Sequence, residues 1–144
     1  MKKKNTKNTF ESSITTSGWE DYELIDSGKS RKLERFGKYL LTRFEPQAAW
    51  KSALPLTHWQ QAQADFLISK GSSAGHWKIQ NDLAKEWKIT YKGITFELRL
   101  QQSRHIGIFP EQCSGWDWIE KMVSSAGRPL RVLNLFAYTG AATL

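Results

Sequence analysis

Residues 131–144 read RVLNLFAYTGAATL, and this stretch decides the fold. Val132, Leu133, Leu135 and Phe136 form a near-continuous apolar run, the pattern of a strand buried on both faces of a parallel sheet. Phe136–Gly140 follows as a turn, where Gly140 supplies the backbone freedom or close approach that a ligand needs. Ala141, Ala142 and Leu144 read as the first turn of a helix. A strand, a glycine turn and a helix N-terminus is how doubly wound folds open a cofactor site. The sequence leaves that helix less than two turns, so the site reads as one begun and not completed.

The rest of the chain sets the context for that motif. Its 144 residues are 40% hydrophobic and 24% charged, with seven Trp, a composition that favours a folded, aromatic-anchored domain over a disordered one. The net charge of +7 is unevenly placed. Met1–Asn8 holds Lys2, Lys3, Lys4 and Lys7 without an acid and carries +4, which leaves +3 for everything else. Such a tail reads first as a loose, solubilising end. The single Cys113 excludes an intramolecular disulfide and a multi-thiolate metal site, and it fits a reducing, cytoplasmic setting. No apolar run approaches the roughly 18 residues of a membrane span, and no apolar stretch follows the N-terminal lysines as in a secretory signal. Neither a membrane nor a metal is expected as a partner.

Turn chemistry organises the middle. Tyr22–Asp26 alternates as a short strand and Ser27-Gly28 reads as its turn. Lys32–Phe36 and Tyr39–Phe44 flank Gly37-Lys38 as a hairpin, which Pro46 ends. In Gln47–Ser69, Trp59, Ala62, Phe66 and Leu67 fall at helical spacing, with Thr57 as N-cap. Gly71–Gly75 is a loop. His76–Ile79, Trp87–Tyr91 and Ile94–Leu100 read as strands, the last two joined by the Lys92-Gly93 turn. Ser103–Cys113 is a loop, and Pro110 opens a helix over Pro110–Ala126 that Gly127 and Pro129 stop. The segments are therefore a flexible basic tail (1–18), a small antiparallel α+β domain (19–109), a linking helix (110–130) and the start of a cofactor-binding domain (131–144).

NLFAYTG resembles the first cofactor-binding motif of class I S-adenosylmethionine-dependent methyltransferases. In the form VLNLFAYTGAATL, preceded by RHIGIFPEQ and a WDW helix, it resembles the ribosomal-RNA large-subunit methyltransferase-like group. YELIDSGKSRKLERFG and PQAAWK are similar to the start of the small domain in members without an extra RNA-binding module. The resemblance spans Trp19–Leu144. It implies an α+β chain: a small antiparallel-sheet domain, then the first strand of a truncated Rossmann-like α/β methyltransferase domain. It implies S-adenosyl-L-methionine as cofactor and RNA, ribosomal RNA first, as substrate. It also implies that Gly107–Gln112 folds over the cofactor, and it marks Phe109, Asn134, Phe136, Ala137, Tyr138 and Gly140 as cofactor-binding. Backbone donors of Ala137–Gly140 suit the cofactor carboxylate; Phe136 and Tyr138 suit an adenosyl wall. The acidic residue for the ribose hydroxyls and the motif facing the target base have no counterpart up to Leu144. No catalytic residue carries over, and the 144 residues alone are expected to be inactive.

Other residues divide between chemistry and architecture. Lys29–Lys38 (KSRKLERFGK) sets five cations against Glu34, with Phe36 and Tyr39 nearby, and suits either RNA contact or a solvated hairpin face. His105 beside Arg104 reads as structural or as a cofactor or substrate contact. Cys113 reads as a small buried residue rather than a nucleophile. Trp116 and Trp118, two apart on a helix, cannot share a face, so at least one packs inward. Trp50, Trp59, Trp77 and Trp87 read as core or hairpin anchors. Asp65, Glu97 and Glu111 carry no acid–base pair. The competing reading of the whole is a stand-alone RNA-binding domain, or a remnant, without enzymatic activity. A weaker one is another nucleotide-binding α/β protein, which the lone glycine and Tyr138 disfavour.

Overall fold

The computed structural model describes residues 15–69, 74–80 and 82–144. The elements are β1 (Tyr22–Gly28), β2 (Arg31–Phe36), β3 (Tyr39–Phe44), α1 (Leu56–Trp59), β4 (Ala64–Ile68), β5 (Gly75–Ile79), β6 (Trp87–Tyr91), β7 (Ile94–Leu98) and α2 (Cys113–Ser124), which a 3-10 turn at Pro110–Gln112 leads in. Strands β1 to β5 form one sheet in sequence order, and β6 and β7 a second. Most of the predicted tail, and residues 71–73 of the predicted loop, lie outside the described residues.

Two hairpins stand where their turn residues place them. Phe36 pairs with Tyr39 across Gly37-Lys38, and Tyr91 with Ile94 across Lys92-Gly93. Lys92 and Gly93 both take positive φ, as a two-residue turn matched to strand twist demands. The first hairpin differs from expectation. β1 continues through Ser27-Gly28, and the chain reverses at Lys29-Ser30, with φ of 52° and 58°. A bulge between Leu24 and Asp26 adds a residue to β1. Gly28 lies so close to the Ser52 backbone that a Cβ there would overlap it.

The predicted helix around residues 57–67 is overturned. α1 is a single turn whose N-cap is Pro55, not Thr57. Phe66 and Leu67 belong to β4, where Ala64 and Phe66 alternate into the core. Residues 45–63 carry the chain back so that β4 pairs parallel to β3, through Leu41↔Ala64 and Thr42↔Asp65. The sheet is therefore mixed rather than antiparallel. A short apolar run fits both periods, and here pairing with β3 and β5 decided between them.

Period-two alternation gives the five-stranded sheet two dressed faces. Leu33 packs with Trp59 and Ala62, with Leu40 against them. On the other face Phe36, Tyr39 and Leu41 join Trp87, Ile89, Tyr91, Phe96 and Leu98 of the second sheet. Ile106, Ile108 and Cys113 complete that main core, which Trp116 packs against. Burial of some ten large side chains at about 1.5–3 kcal/mol each supplies the driving force. Cys113 is buried, as expected, and its Sγ donates to the Ser17 carbonyl. Trp116 packs on Trp19, Tyr91 and Phe96, while Trp118 is 63% exposed. Trp50 is also exposed, with its indole N–H on the Ser27 carbonyl.

The terminal strand is not formed. Residues 131–144 hold turns only, closed by Gly140 N–H on the Ala137 carbonyl and Thr143 N–H on the Gly140 carbonyl, both 2.8 Å. Val132, Leu133, Leu135 and Phe136 are exposed. An apolar run becomes a strand only where a neighbour takes its backbone hydrogen bonds. Among the described residues none pairs with it.

Candidate cofactor site

The sequence brings the RHIGIF loop and the FAYTG turn together. Ile106 and Ile108 are buried in the main core, so the residues between and beside them are presented at a fixed position. Gly107 has φ of 108°, and its carbonyl accepts a 2.7 Å hydrogen bond from the Thr139 hydroxyl. The Tyr138 hydroxyl reaches the Gln101 side chain at 3.4 Å. The Phe109 ring meets two partners, the Tyr138 ring tilted at 5.1 Å and the His105 ring edge-on at 5.1 Å.

The turn is conformationally unusual. Phe136 and Tyr138 hold φ of 57° and 51°, and Gly140 90°. Left-handed aromatic residues cost on the order of 1–3 kcal/mol each, and such outliers gather at ligand-binding turns. Among the described residues the Tyr138 and Thr139 backbone N–H groups have no backbone acceptor, so they remain as donors for an anionic group.

The predicted site residues thus fall into four groups. Phe109 and Tyr138 touch. Ala137 and Gly140 close the turn. Asn134 lies on its other flank, donating to the Thr143 hydroxyl at 2.6 Å. Phe136 is fully exposed and takes no part in the aromatic stack. Thr139 and Gln101 are contacts that the sequence did not single out; a hydroxyl inside a glycine turn is the only signal of the first. His105 does find a partner, the Phe109 ring. Partial burial, then the Arg104 and Arg43 cations, hold its imidazole below the usual histidine range, so it is neutral near pH 7.

Asn134 and Thr143 also rim a cavity of about 410 Å³ whose walls include Phe96, Trp116, Val123 and Ala141. At its polar edge the Tyr91 hydroxyl donates to Asp117 at 3.0 Å, and the Lys92 ammonium meets the same carboxylate at 2.8 Å. Burial, then the Asp117 bond, pushes the Tyr91 phenol upward.

Of the two readings of the Lys29–Lys38 stretch, RNA contact or a solvated hairpin face, RNA contact gains no ring from it. Phe36 and Tyr39 are buried and cannot meet a base. Three of the cations are internally paired: Arg31 with Asp65, Lys32 with Glu34 and Glu45, Arg35 with Glu23. Glu34, on the core face beside Phe36, is wholly buried and accepts from Arg43 Nε and Nη2 at 2.6 Å and from the Tyr22 hydroxyl at 3.0 Å. Asp65 also accepts from Thr42 and Gln80, so it is a structural carboxylate. Among the described residues no three His, Cys, Asp or Glu side chains converge as a metal site, and no helix is long and apolar enough to cross a membrane.

No family model and no curated protein matches the chain. Solved structures do. One, described as the SAM-dependent methyltransferase from Agrobacterium tumefaciens, shares 43% sequence identity at a TM-score of 0.80 over 88% of this chain. The chain is similar to S-adenosylmethionine-dependent methyltransferases. A second, a SAM-dependent methyltransferase candidate from Streptococcus mutans, shares 16% identity at a TM-score of 0.53 over 95% of this chain, a likeness of fold alone. The chain spans 40% of the first neighbour's length and 37% of the second's.

Proposed function

We propose that these 144 residues are part of an S-adenosyl-L-methionine-dependent methyltransferase of the cytoplasm that acts on RNA, ribosomal RNA first. They would provide the small substrate-recruiting domain and the first cofactor motif. The observation that carries the reading is the strained Phe136–Gly140 turn, pinned by Thr139 to Gly107 and by Tyr138 to Phe109. The 43% identity to a SAM-dependent methyltransferase supports it.

In this reading the Tyr138 and Thr139 N–H groups meet the cofactor carboxylate, and the Phe109–Tyr138 pair lies against its adenosyl group. When bound, the cofactor supplies an activated methyl on sulfur. These residues would hold and orient it, and its methyl would pass from sulfur to a base atom of the substrate with release of S-adenosylhomocysteine. In this reading the 144 residues alone are inactive.

The test follows labelled methyl from S-adenosylmethionine into RNA. Incorporation is expected from the product of the whole reading frame that contains these residues and not from the 144 residues alone. Label entering protein or lipid instead would overturn the RNA substrate, and label transferred by the 144 residues would overturn their inactivity.

A further inference from the structure

Beside the first hairpin turn lies an open hollow of about 400 Å³, on the far side of the sheet from the main core. Lys29, Arg31, Lys51–Leu56 and Trp59 line it. Three cations and no carboxylate line it. Arg31 is shared with Asp65 and lies 5.9 Å over the Trp59 ring. Lys29 and Lys51 have no ion pair among the described residues.

The hollow is held open by specific bonds. Lys29 N–H donates to Trp50 carbonyl at 2.7 Å and Ser30 N–H to Ala48 carbonyl at 2.8 Å, which fixes the left-handed turn against the segment that leads into Lys51. The buried Asp26 carboxylate accepts from the Ala53 and Leu54 N–H groups and the Trp59 indole, at 3.2, 2.8 and 3.2 Å. Two lysines without an ion pair among the described residues line this partly apolar hollow, a charge arrangement that favours an anion there. Leu54, Pro55 and Leu56 offer an apolar surface to whatever carries that anion. The size suits one nucleotide.

We infer that this hollow is a subsite for the phosphodiester backbone of single-stranded RNA, with Lys29 and Lys51 on adjacent phosphates and one unstacked nucleotide against Leu54–Leu56. The inference rests on the RNA reading above. An unstacked strand offers both a base face and separated phosphates, whereas a duplex presents only its outer shape. The site lies apart from the Lys32–Arg35 face, whose cations are internally neutralised.

Binding of a fluorescein-labelled single-stranded oligoribonucleotide to the 144-residue chain, read by anisotropy from 50 to 200 mM salt, tests it. The pocket variant carries Lys29→Asn, a residue that tolerates the left-handed turn, with Lys51→Gln; the control carries Lys88→Gln with Lys121→Gln, exposed lysines elsewhere. Each phosphate contact to a single strand adds about 0.7 to the salt slope. The pocket variant is expected to lose about 1.4 from that slope, so that its affinity falls about sevenfold less over this range, while the control keeps the slope. Equal losses in both variants, or none in the pocket variant, overturn the subsite and leave the RNA reading standing. A wild-type chain that binds no RNA at low salt overturns the RNA reading and the subsite with it. Far-ultraviolet circular dichroism checks that both variants are folded.

Discussion

Glu34 shows what a single residue carries here. Burial alone would keep its carboxyl protonated, but Arg43 at 2.6 Å, then Lys32 and the Tyr22 hydroxyl, hold it below the usual carboxylate range. Burial pulls Arg43 down but pairing with Glu34 outweighs it and raises Arg43, while burial, then Glu34, raises the Tyr22 phenol. Glu34→Gln leaves a buried guanidinium without its counter-charge, and a loss of about 3–5 kcal/mol in urea unfolding is expected. The pH dependence has a definite sign. A carboxyl with a depressed folded pKa stabilises fully above its unfolded value of about 4.3, and that stabilisation is lost as pH falls through the folded value. Asp26, where burial is outweighed by the Leu54, Ala53 and Ser27 N–H groups and the Trp59 indole, acts in the same direction. The wild-type urea midpoint should fall between pH 5 and pH 2, and Glu34→Gln should flatten that fall. A midpoint unchanged over this range would contradict the buried-pair account. Period-two alternation puts Glu34 on the face of Phe36, yet the sequence reading set it among the cations of an RNA-contact or solvated face, because both faces of β2 are covered. Its partner was not readable either: Glu34 opposes Leu41, and Arg43 lies two residues further on the same face, a diagonal neighbour that only the register reveals.

At the scale of elements, what could be read depended on how local the deciding contact is. The hairpins at Gly37-Lys38 and Lys92-Gly93 follow from two residues of turn chemistry. β4 depends on a parallel partner 23 residues away, Leu41 for Ala64, so its apolar run was misread as helical. The Val132–Phe136 strand depends on neighbours that no described residue supplies. α2 lies between these cases, since its spacing required one inward tryptophan without saying which. The structure selects Trp116. Trp116→Ala should cost about 3–5 kcal/mol, as for other large core truncations, because it strips a ring from Trp19, Tyr91 and Phe96. Trp118→Ala should stay within about 0.5 kcal/mol. Thermal denaturation of the pair decides this, and equal losses would show that both faces of α2 are buried.

For the whole molecule, the structure separates a packed body from an end held by few contacts. Residues 131–144 attach through Thr139, Tyr138 and the partly buried Ala141, while Leu133 is 80% exposed. Exposed apolar chain of this kind promotes association. Removing Arg131–Leu144 should raise solubility and leave the melting temperature within a few degrees; unfolding of the remainder would instead show that the segment is part of the core. The cofactor motif was legible in the sequence as residue types, and the loop that cradles it as a resemblance. The aromatic contact and the Thr139 anchor needed the fold, because they join residues some thirty positions apart.

The central claim is that the Phe136–Gly140 turn binds S-adenosylmethionine. Its most direct test is calorimetric titration of S-adenosylmethionine into the product of the whole reading frame, wild type against Gly140→Val. The branched side chain opposes the φ of 90° that the turn requires without meeting any neighbour. The account predicts saturable binding by the wild type and at least a tenfold loss in the folded variant. Equal binding by both proteins, or no binding by a folded wild type, would contradict it.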